Sequence, residues 1–275
     1  MIVSGGFEER EVVLGDFRGV VEAALHEPRF LASLSGPDKL LRSGHVFHAG
    51  RNRLAAIRLR LPPGRTLEAV LKEFRPRGVD RLKTLFLPSK ALRAWRGATA
   101  LLRRGIPTPA PLAFLERRRA GMMVEGYYLA ERVDGGREAR DEFRRLKGKE
   151  LDRFLLRLAE FLRLCHERGV LHRDLSDGNI LSVEDGRGGR TFYLLDTNRI
   201  RAGGRVRGLR AAANLVRLGV PQLSRTAFLS FYHAGRPVPG SFVRWYRFRK
   251  AWYSSIVKLK KALRLKKLSR KLGVQ

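Results

Sequence analysis

His172-Arg173-Asp174-Leu175-Ser176-Asp177-Gly178-Asn179-Ile180-Leu181-Ser182 is the stretch on which the reading of this 275-residue chain turns. It sets a carboxylate, Asp174, five residues before a carboxamide, Asn179. Asp174 can accept the proton of an attacking hydroxyl, and Asn179 can turn back to hold a magnesium ion on the phosphates of a nucleotide. A short loop aims both groups at one point only if their separation is fixed, and here it is.

The flanks agree with that reading. Upstream, Leu151, Phe154, Leu155, Leu158, Phe161, Leu162 and Cys165 recur at helical spacing, with Gly169 as the stop. Downstream, Ile180 to Val183, a Gly-rich turn from Glu184 to Arg190, and Thr191 to Leu195 predict a β-hairpin that ends on Asp196. A hairpin returns the chain to its starting height, so Asp196 is expected beside Asn179 as a second magnesium ligand. Helix, loop, hairpin and acid, in that order around H-R-D-L-x-x-x-N, are the pattern of the protein-kinase fold. The expected class is α+β and two-lobed, with a small β-rich N-lobe and a larger, mostly helical C-lobe.

Composition sets the outer bounds. A hydrophobic content of 44% suits a globular protein with a substantial core. The single cysteine, Cys165, excludes an internal disulfide and reads as a packed core thiol. No apolar run approaches the ~18 residues needed to span a bilayer. Met1 to Arg10 lacks the features of a secretory signal, so a cytoplasmic protein is expected. The charge is extreme: 57 Lys+Arg against 26 Asp+Glu give +31. Residues 201–275 contribute 19 of those cations and no acid, which predicts a polyanionic partner: nucleic acid, anionic phospholipid or phosphorylated glycolipid.

Four segments are expected along the chain. Residues 1–40 form an extension without an assigned role, holding a strand-like piece at Glu11 to Leu14 and a helical patch at Phe17 to Leu25. Residues 41–133 form the N-lobe that covers ATP, 134–250 the C-lobe, and 251–275 a basic, aromatic-flanked tail. Within the N-lobe, Arg53 to Leu61 and Thr66 to Phe74 flank Pro62-Pro63-Gly64-Arg65 and read as a hairpin. Its second strand carries Lys72, placed to reach nucleotide phosphates. A helix from Ser89 to Arg104 follows, with Ser89 as N-cap and Gly105 as stop. Leu112 to Glu116 and Met122 to Arg132 are two more strands, and Val133-Asp134-Gly135-Gly136 is the expected hinge, where the backbone of Glu131 to Val133 would meet adenine. No G-x-G-x-x-G precedes Lys72; Gly44 and Gly50 are the nearest candidates, and an ordinary turn is the better reading of them. His45 and His48 alone are too few for a metal site.

These residues resemble the bacterial lipopolysaccharide core kinases, which phosphorylate heptose or Kdo (3-deoxy-octulosonic acid) on the inner core. The similarity runs from about Leu67 to Leu218 and rests on Val70-Leu71-Lys72, Ala94-Trp95-Arg96, Gly105-Ile106-Pro107-Thr108-Pro109, the loop from His172, and Leu194-Leu195-Asp196-Thr197-Asn198-Arg199. The last piece resembles the Asp-x-Asn/Asp-Arg of sugar kinases, where protein kinases have Phe-Gly after the Asp. Asn198 is expected to adopt the positive φ that Gly adopts there. Ser176 stands where Ser/Thr protein kinases usually carry Lys, and no Ala-Pro-Glu segment follows Asp196.

The resemblance implies ATP and Mg2+ as cofactors. It implies catalytic roles for Asp174, Arg173 and His172, nucleotide contacts at Lys72, Glu131 and Val133, and metal ligation by Asn179 and Asp196. Ser176 and Arg199 are implied as contacts to substrate or phosphate. The implied partner is a lipopolysaccharide core–lipid A precursor at the inner face of the plasma membrane, which residues 201–275 would engage peripherally. A nucleic-acid-associated or protein kinase of the same fold, or a non-catalytic ATP-binding scaffold, are the alternatives. One departure stands out: the helix from Ser89 has no acid to pair Lys72, and Asp80 is the only acid between Arg75 and Leu115. Asp196, another carboxylate, or bound ATP must then order the lysine. In the tail, Trp252, Ile256, Leu259 and Leu263 share one helical face while Leu265, Leu268 and Leu272 fall nearly opposite, so the part after Arg264 is expected to fold back or stay loose.

Overall fold

A computed structural model describes residues 7–49, 53–61, 65–186 and 189–271. The elements in order are β1 (Glu9–Leu14), β2 (Phe17–Glu22), α1 (Pro28–Leu34), α2 (Pro37–Ser43), β3 (His45–Ala49), β4 (Arg53–Leu61) and β5 (Arg65–Phe74). Then come α3 (Val79–Leu82), α4 (Lys90–Leu102), β6 (Pro111–Arg119), β7 (Met122–Glu131), β8 (Arg137–Glu138), α5 (Ala139–Arg145) and α6 (Gly148–Glu167). The chain finishes with β9 (Val170–His172), β10 (Ile180–Glu184), β11 (Arg190–Leu194), β12 (Ile200–Ala202), α7 (Gly208–Leu215), α8 (Arg225–Tyr232) and α9 (Gly240–Lys271). Gly50, the Pro62-Pro63-Gly64 turn, Arg187-Gly188 and Leu272 lie outside the described residues, as do the side chains of Leu265 and Leu268.

The chain divides into two compact units. One comprises residues 1–137 and 181–202, the other residues 138–180 and 203–275. The first is built on a seven-stranded antiparallel sheet ordered β1-β2-β6-β7-β5-β4-β3. Alternation on β5 explains its two cores. Leu67, Ala69 and Leu71 join Phe30, Leu34 and Leu41 of α1 and α2 on one face. Phe74 joins Ala91, Ala94, Trp95 and Ala98 of α4 on the other.

Residues 9–22, left without a role by their sequence, add two strands to this sheet. Phe17–Glu22 is a strand where helical spacing was expected, and only Ala23–Leu25 turns helically. Sheet pairing overrides a six-residue pattern that is short enough to fit either period. Gly19 makes the pairing possible, since a Cβ there would sit 1.9 Å from the Phe114 carbonyl oxygen. Between α2 and the sheet, buried Glu73 and Glu125 are ringed by cations: Arg53 and Arg75 reach Glu73 at 2.6 and 2.7 Å, and Arg117 pairs with Glu125. The Tyr127 hydroxyl lies 2.8 and 3.0 Å from carboxylate oxygens of Asp38 and Glu125, one of which accepts its proton, and burial pushes its ionisation far up. Each carboxylate thus has a partner, which is the condition for burying it.

In the second unit, α6 carries the predicted apolar stripe, and all seven residues named from the sequence are buried. Cys165 is a core thiol whose ionisation burial pushes up. The C-terminal region departs from expectation. One helix, α9, runs from Gly240 to Lys271 without folding back after Arg264. Phe242 and Tyr246 are buried on its first turns, whereas Trp252, Leu259 and Leu263 are exposed. No helix among the described residues is long and apolar enough to cross a membrane.

Candidate active site

Period-two alternation on β5 puts Val70 and Lys72 on the face that looks toward α4 rather than toward α1 and α2. Beneath that face is a cavity of about 230 Å³, lined by Leu54, Val70, Tyr128, Ala130, Leu181 and Leu195, with Lys72 and Asp196 among its few polar groups. Glu131 and Val133 line it as well. An apolar slot with a few convergent polar groups is the usual form of a small-ligand site.

Lys72 Nζ lies 2.5 Å from Asp196 Oδ1, and about four-fifths of each side chain is buried. Of the partners the sequence left open for Lys72, the structure selects Asp196. Asp196 is held from several sides. Its backbone is left-handed, with φ 51° and ψ 49°, and Asn198 follows within a 3-10 turn. The positive φ expected at Asn198 therefore belongs to Asp196. Asn198 instead donates from Nδ2 to Asp196 Oδ1 at 3.3 Å, which restrains the carboxylate. Asp tolerates this backbone region better than most residues, and strain here is the kind that surrounding contacts must enforce. They do so through α4. The Thr197 hydroxyl donates to the Ala94 carbonyl at 2.8 Å, and a Cβ on Gly97 would lie 2.0 Å from the Thr197 carbonyl oxygen. On the N-terminal side, the Thr108 hydroxyl donates to the Leu194 carbonyl at 2.8 Å. The Gly-Ile-Pro-Thr-Pro connector thus anchors the end of β11. Ser89 caps α4 as expected, accepting from the Leu92 amide at 2.9 Å.

The second unit carries the H-R-D loop. The Ser176 amide donates to the Asp174 carbonyl at 2.8 Å, and the Asn179 amide to the Ser176 carbonyl at 3.0 Å. Asn179 also donates from Nδ2 to the Asp174 carbonyl at 2.8 Å, which leaves its Oδ1 as the atom suited to a hard cation. His172 is buried, and its Nδ1 accepts from the Asp174 amide at 3.1 Å, a positioning contact. Arg173 and Arg199 are both exposed.

What the sequence did not reveal is the frame around Asp174. Arg217 Nη2 lies 2.7 Å from Asp174 Oδ1, and its guanidinium sits 5.5 Å over the Tyr253 ring of α9. Lys250, one turn earlier on α9, donates to the carbonyls of Val216 and Leu218 at 2.7 and 2.6 Å, fixing the backbone on both sides of Arg217. Burial pushes Lys250 down to about 8, helped by Arg225 and opposed by Asp177. A second brace begins on α6. His166 contacts the Tyr232 hydroxyl at 2.7 Å and Asn214 Oδ1 at 2.9 Å, and Asn214 Nδ2 donates to the His172 carbonyl at 2.8 Å. One tautomer satisfies both ring nitrogens: Nε2–H donates to Asn214 and Nδ1 accepts from Tyr232. Burial lowers the proton affinity of His166, so it stays neutral in this role. Arg217 was one cation among 57 in the sequence, 43 positions from Asp174, and no local pattern marks it.

A strand lysine paired to the acid that ends a hairpin, over an apolar slot, together with an intact H-R-D loop, makes this a phosphotransferase of the kinase type. The sequence profile of the lipopolysaccharide kinase (Kdo/WaaP) family matches residues 70–225, more than half of the chain, and the chain belongs to that family. A solved structure described as "WaaP in complex with acyl carrier protein" is similar, with a TM-score of 0.58 and 18% identity over 82% of this chain and 97% of that one. At that identity the likeness establishes the fold. No curated protein matches the chain.

Proposed function

We propose that the chain transfers the γ-phosphate of ATP, with Mg2+, to a sugar hydroxyl (heptose or Kdo) of a lipopolysaccharide core–lipid A precursor at the cytoplasmic face of the inner membrane. The observation that carries this reading is the Lys72–Asp196 pair at the polar end of an apolar cavity, in a chain of this family. The cavity fits the nucleotide in kind: aliphatic and aromatic walls for a flat base, backbone of Glu131 to Val133 for its edge, and one cation for phosphates. The carboxylate of Asp196 and the amide oxygen of Asn179 are hard oxygen donors of the type Mg2+ takes. Held by such donors, Mg2+ would neutralise charge on the transferring phosphoryl group.

Asp174 orients the acceptor hydroxyl and takes its proton. Lys72 holds the phosphates, which requires it to trade part of its contact with Asp196. His172 and Arg217 keep Asp174 in place, and Ser176 and Arg199 are assigned to acceptor or phosphate. The 19 cations of residues 201–275 would draw the enzyme to an anionic leaflet at about 1 kcal/mol per cation near the surface. The test is transfer of radiolabelled phosphate from ATP to purified lipopolysaccharide. The wild type should label it and Asp174→Ala should not, while ATP binding survives in both. Absence of labelling by the wild type, or undiminished labelling by the variant, would defeat the assignment.

A further inference from the structure

Between the sheet and α4 the chain runs Arg77-Gly78-Val79-Asp80-Arg81-Leu82-Lys83-Thr84-Leu85-Phe86-Leu87, and its apolar side chains are not folded inward. Phe86 is 88% exposed, and Val79, Leu82, Leu85 and Leu87 are between 45% and 66% exposed. Five large exposed apolar residues in nine positions, three of them consecutive, are a concentration that soluble surfaces avoid unless it meets a partner.

The segment is also held rigidly. Thr84 is its buried residue, and it is tied three ways. Its hydroxyl donates to the Arg81 carbonyl at 2.6 Å and accepts from the Met123 amide at 2.8 Å, while its carbonyl accepts from Arg118 at 3.1 Å. Arg118 also donates to the Gly121 carbonyl at 2.8 Å, clamping the segment to the β6–β7 turn. Nailed down at its middle, the segment leaves Phe86 almost wholly exposed and Leu85 and Leu87 about half exposed.

The charge around it identifies what these side chains meet. Arg77, Arg81 and Lys83 lie within the segment, and Arg75, Lys83, Lys90 and Arg93 line the hollow beside it. The one acid, Asp80, faces Lys83 and Lys90 at 3.9 and 3.8 Å. Apolar side chains projecting from a collar of cations match the boundary of an anionic bilayer, where rings and aliphatic chains enter the acyl region and cations meet headgroup phosphates. Two copies of such a collar would repel each other. We infer that residues 79–87 are a membrane-inserting spike, with Phe86 and Leu87 entering the acyl layer and Arg77, Arg81 and Lys83 contacting anionic lipid headgroups. This deepens the proposed function, because it supplies a second, apolar grip on the surface that carries the acceptor.

The experiment uses the full chain and vesicles of phosphatidylcholine mixed with phosphatidylglycerol, without ATP or acceptor. Salt screens the attraction of the C-terminal cations but not apolar insertion. Wild type should therefore keep a salt-resistant bound fraction on co-sedimentation. Phe86→Ser/Leu87→Ser should lose that fraction and require at least about tenfold more lipid at low salt. Both residues are exposed, so the variant should melt and bind ATP as wild type does. In a second arm, the indole introduced by Phe86→Trp should be quenched by lipids brominated on their acyl chains. Binding that salt abolishes completely in the wild type, a salt-resistant fraction undiminished in the double variant, or fluorescence of the Phe86→Trp protein that brominated lipid leaves unchanged would each overturn the inference. So would a self-associated wild type that ignores vesicles and becomes monomeric on the double substitution. A chain that inserts but transfers no phosphate would instead count against the proposed reaction alone.

Discussion

Replacing Lys72 and Asp196 singly and together tests whether the resting site is a coupled pair. At 2.5 Å the direct attraction is on the order of 6 kcal/mol for an effective dielectric of about 20. Side chains only 18% and 24% exposed lose most of their hydration, and that cost cancels the larger part of the attraction. A coupling energy of roughly 1–3 kcal/mol should remain. Lys72→Met should therefore cost about 2–3 kcal/mol, because it strands a largely buried carboxylate on a left-handed backbone. Asp196→Asn should cost less, since the lysine's long stem can carry its charge toward water. Lys72→Met/Asp196→Asn should be less destabilised than the sum of the two. Urea unfolding followed by tryptophan fluorescence is the assay, because Trp95 is 2% exposed in the same unit and reports its loss of packing. Single costs that add to within about 0.5 kcal/mol in the double variant would refute the coupling and leave the short contact without energetic meaning.

Other outcomes follow from the packing. Gly97→Ala brings a methyl against the Thr197 carbonyl, so it should destabilise by roughly 1–3 kcal/mol and weaken nucleotide binding by shifting Asp196, as calorimetry would detect. Lys250→Met keeps the buried stem but leaves two carbonyls beside Arg217 without their donor; phosphate transfer should slow while the ATP dissociation constant stays the same, measured side by side. His166 has its proton affinity lowered by burial, so its contribution to stability is complete above its unfolded value of 6.5 and is lost as pH falls below that. Melting curves between pH 7 and 5 should show this loss at up to about 1.4 kcal/mol per pH unit, and His166→Gln should flatten it.

The sequence reached furthest where chemistry is local. The α6 stripe, the Ser89 cap, the β4 and β5 strands and the hairpin ending on Asp196 each follow from periodicity or a single capping residue, and each is present. It failed where long-range contact decides. Phe17–Glu22 is short enough to suit helix or strand, and pairing with β6 makes it a strand. The positive φ went to Asp196 rather than Asn198 because α4 grips Thr197 at Ala94 and Gly97, more than 90 positions upstream. Arg217, Tyr253 and Lys250 converge around Asp174 through packing of α7 against α9, which no spacing in the chain records. The residues that frame the loop from outside were therefore invisible to motif reading, although the loop itself was plain.

Helix α9 has two employments. Its far half exposes aliphatic and basic groups, Leu259, Leu263 and Lys258 to Lys261 among them, and its near half braces Arg217 beside Asp174. Trimming the chain to remove a sticky cationic end is thus safe only beyond Tyr253. A cut made earlier, at a site chosen for solubility, would withdraw the support of Arg217 and leave Asp174 poorly aimed for its proposed role. If the cationic surface engages a bilayer as proposed, a pull on that helix would reach Arg217, the neighbour of Asp174, through Tyr253 and Lys250.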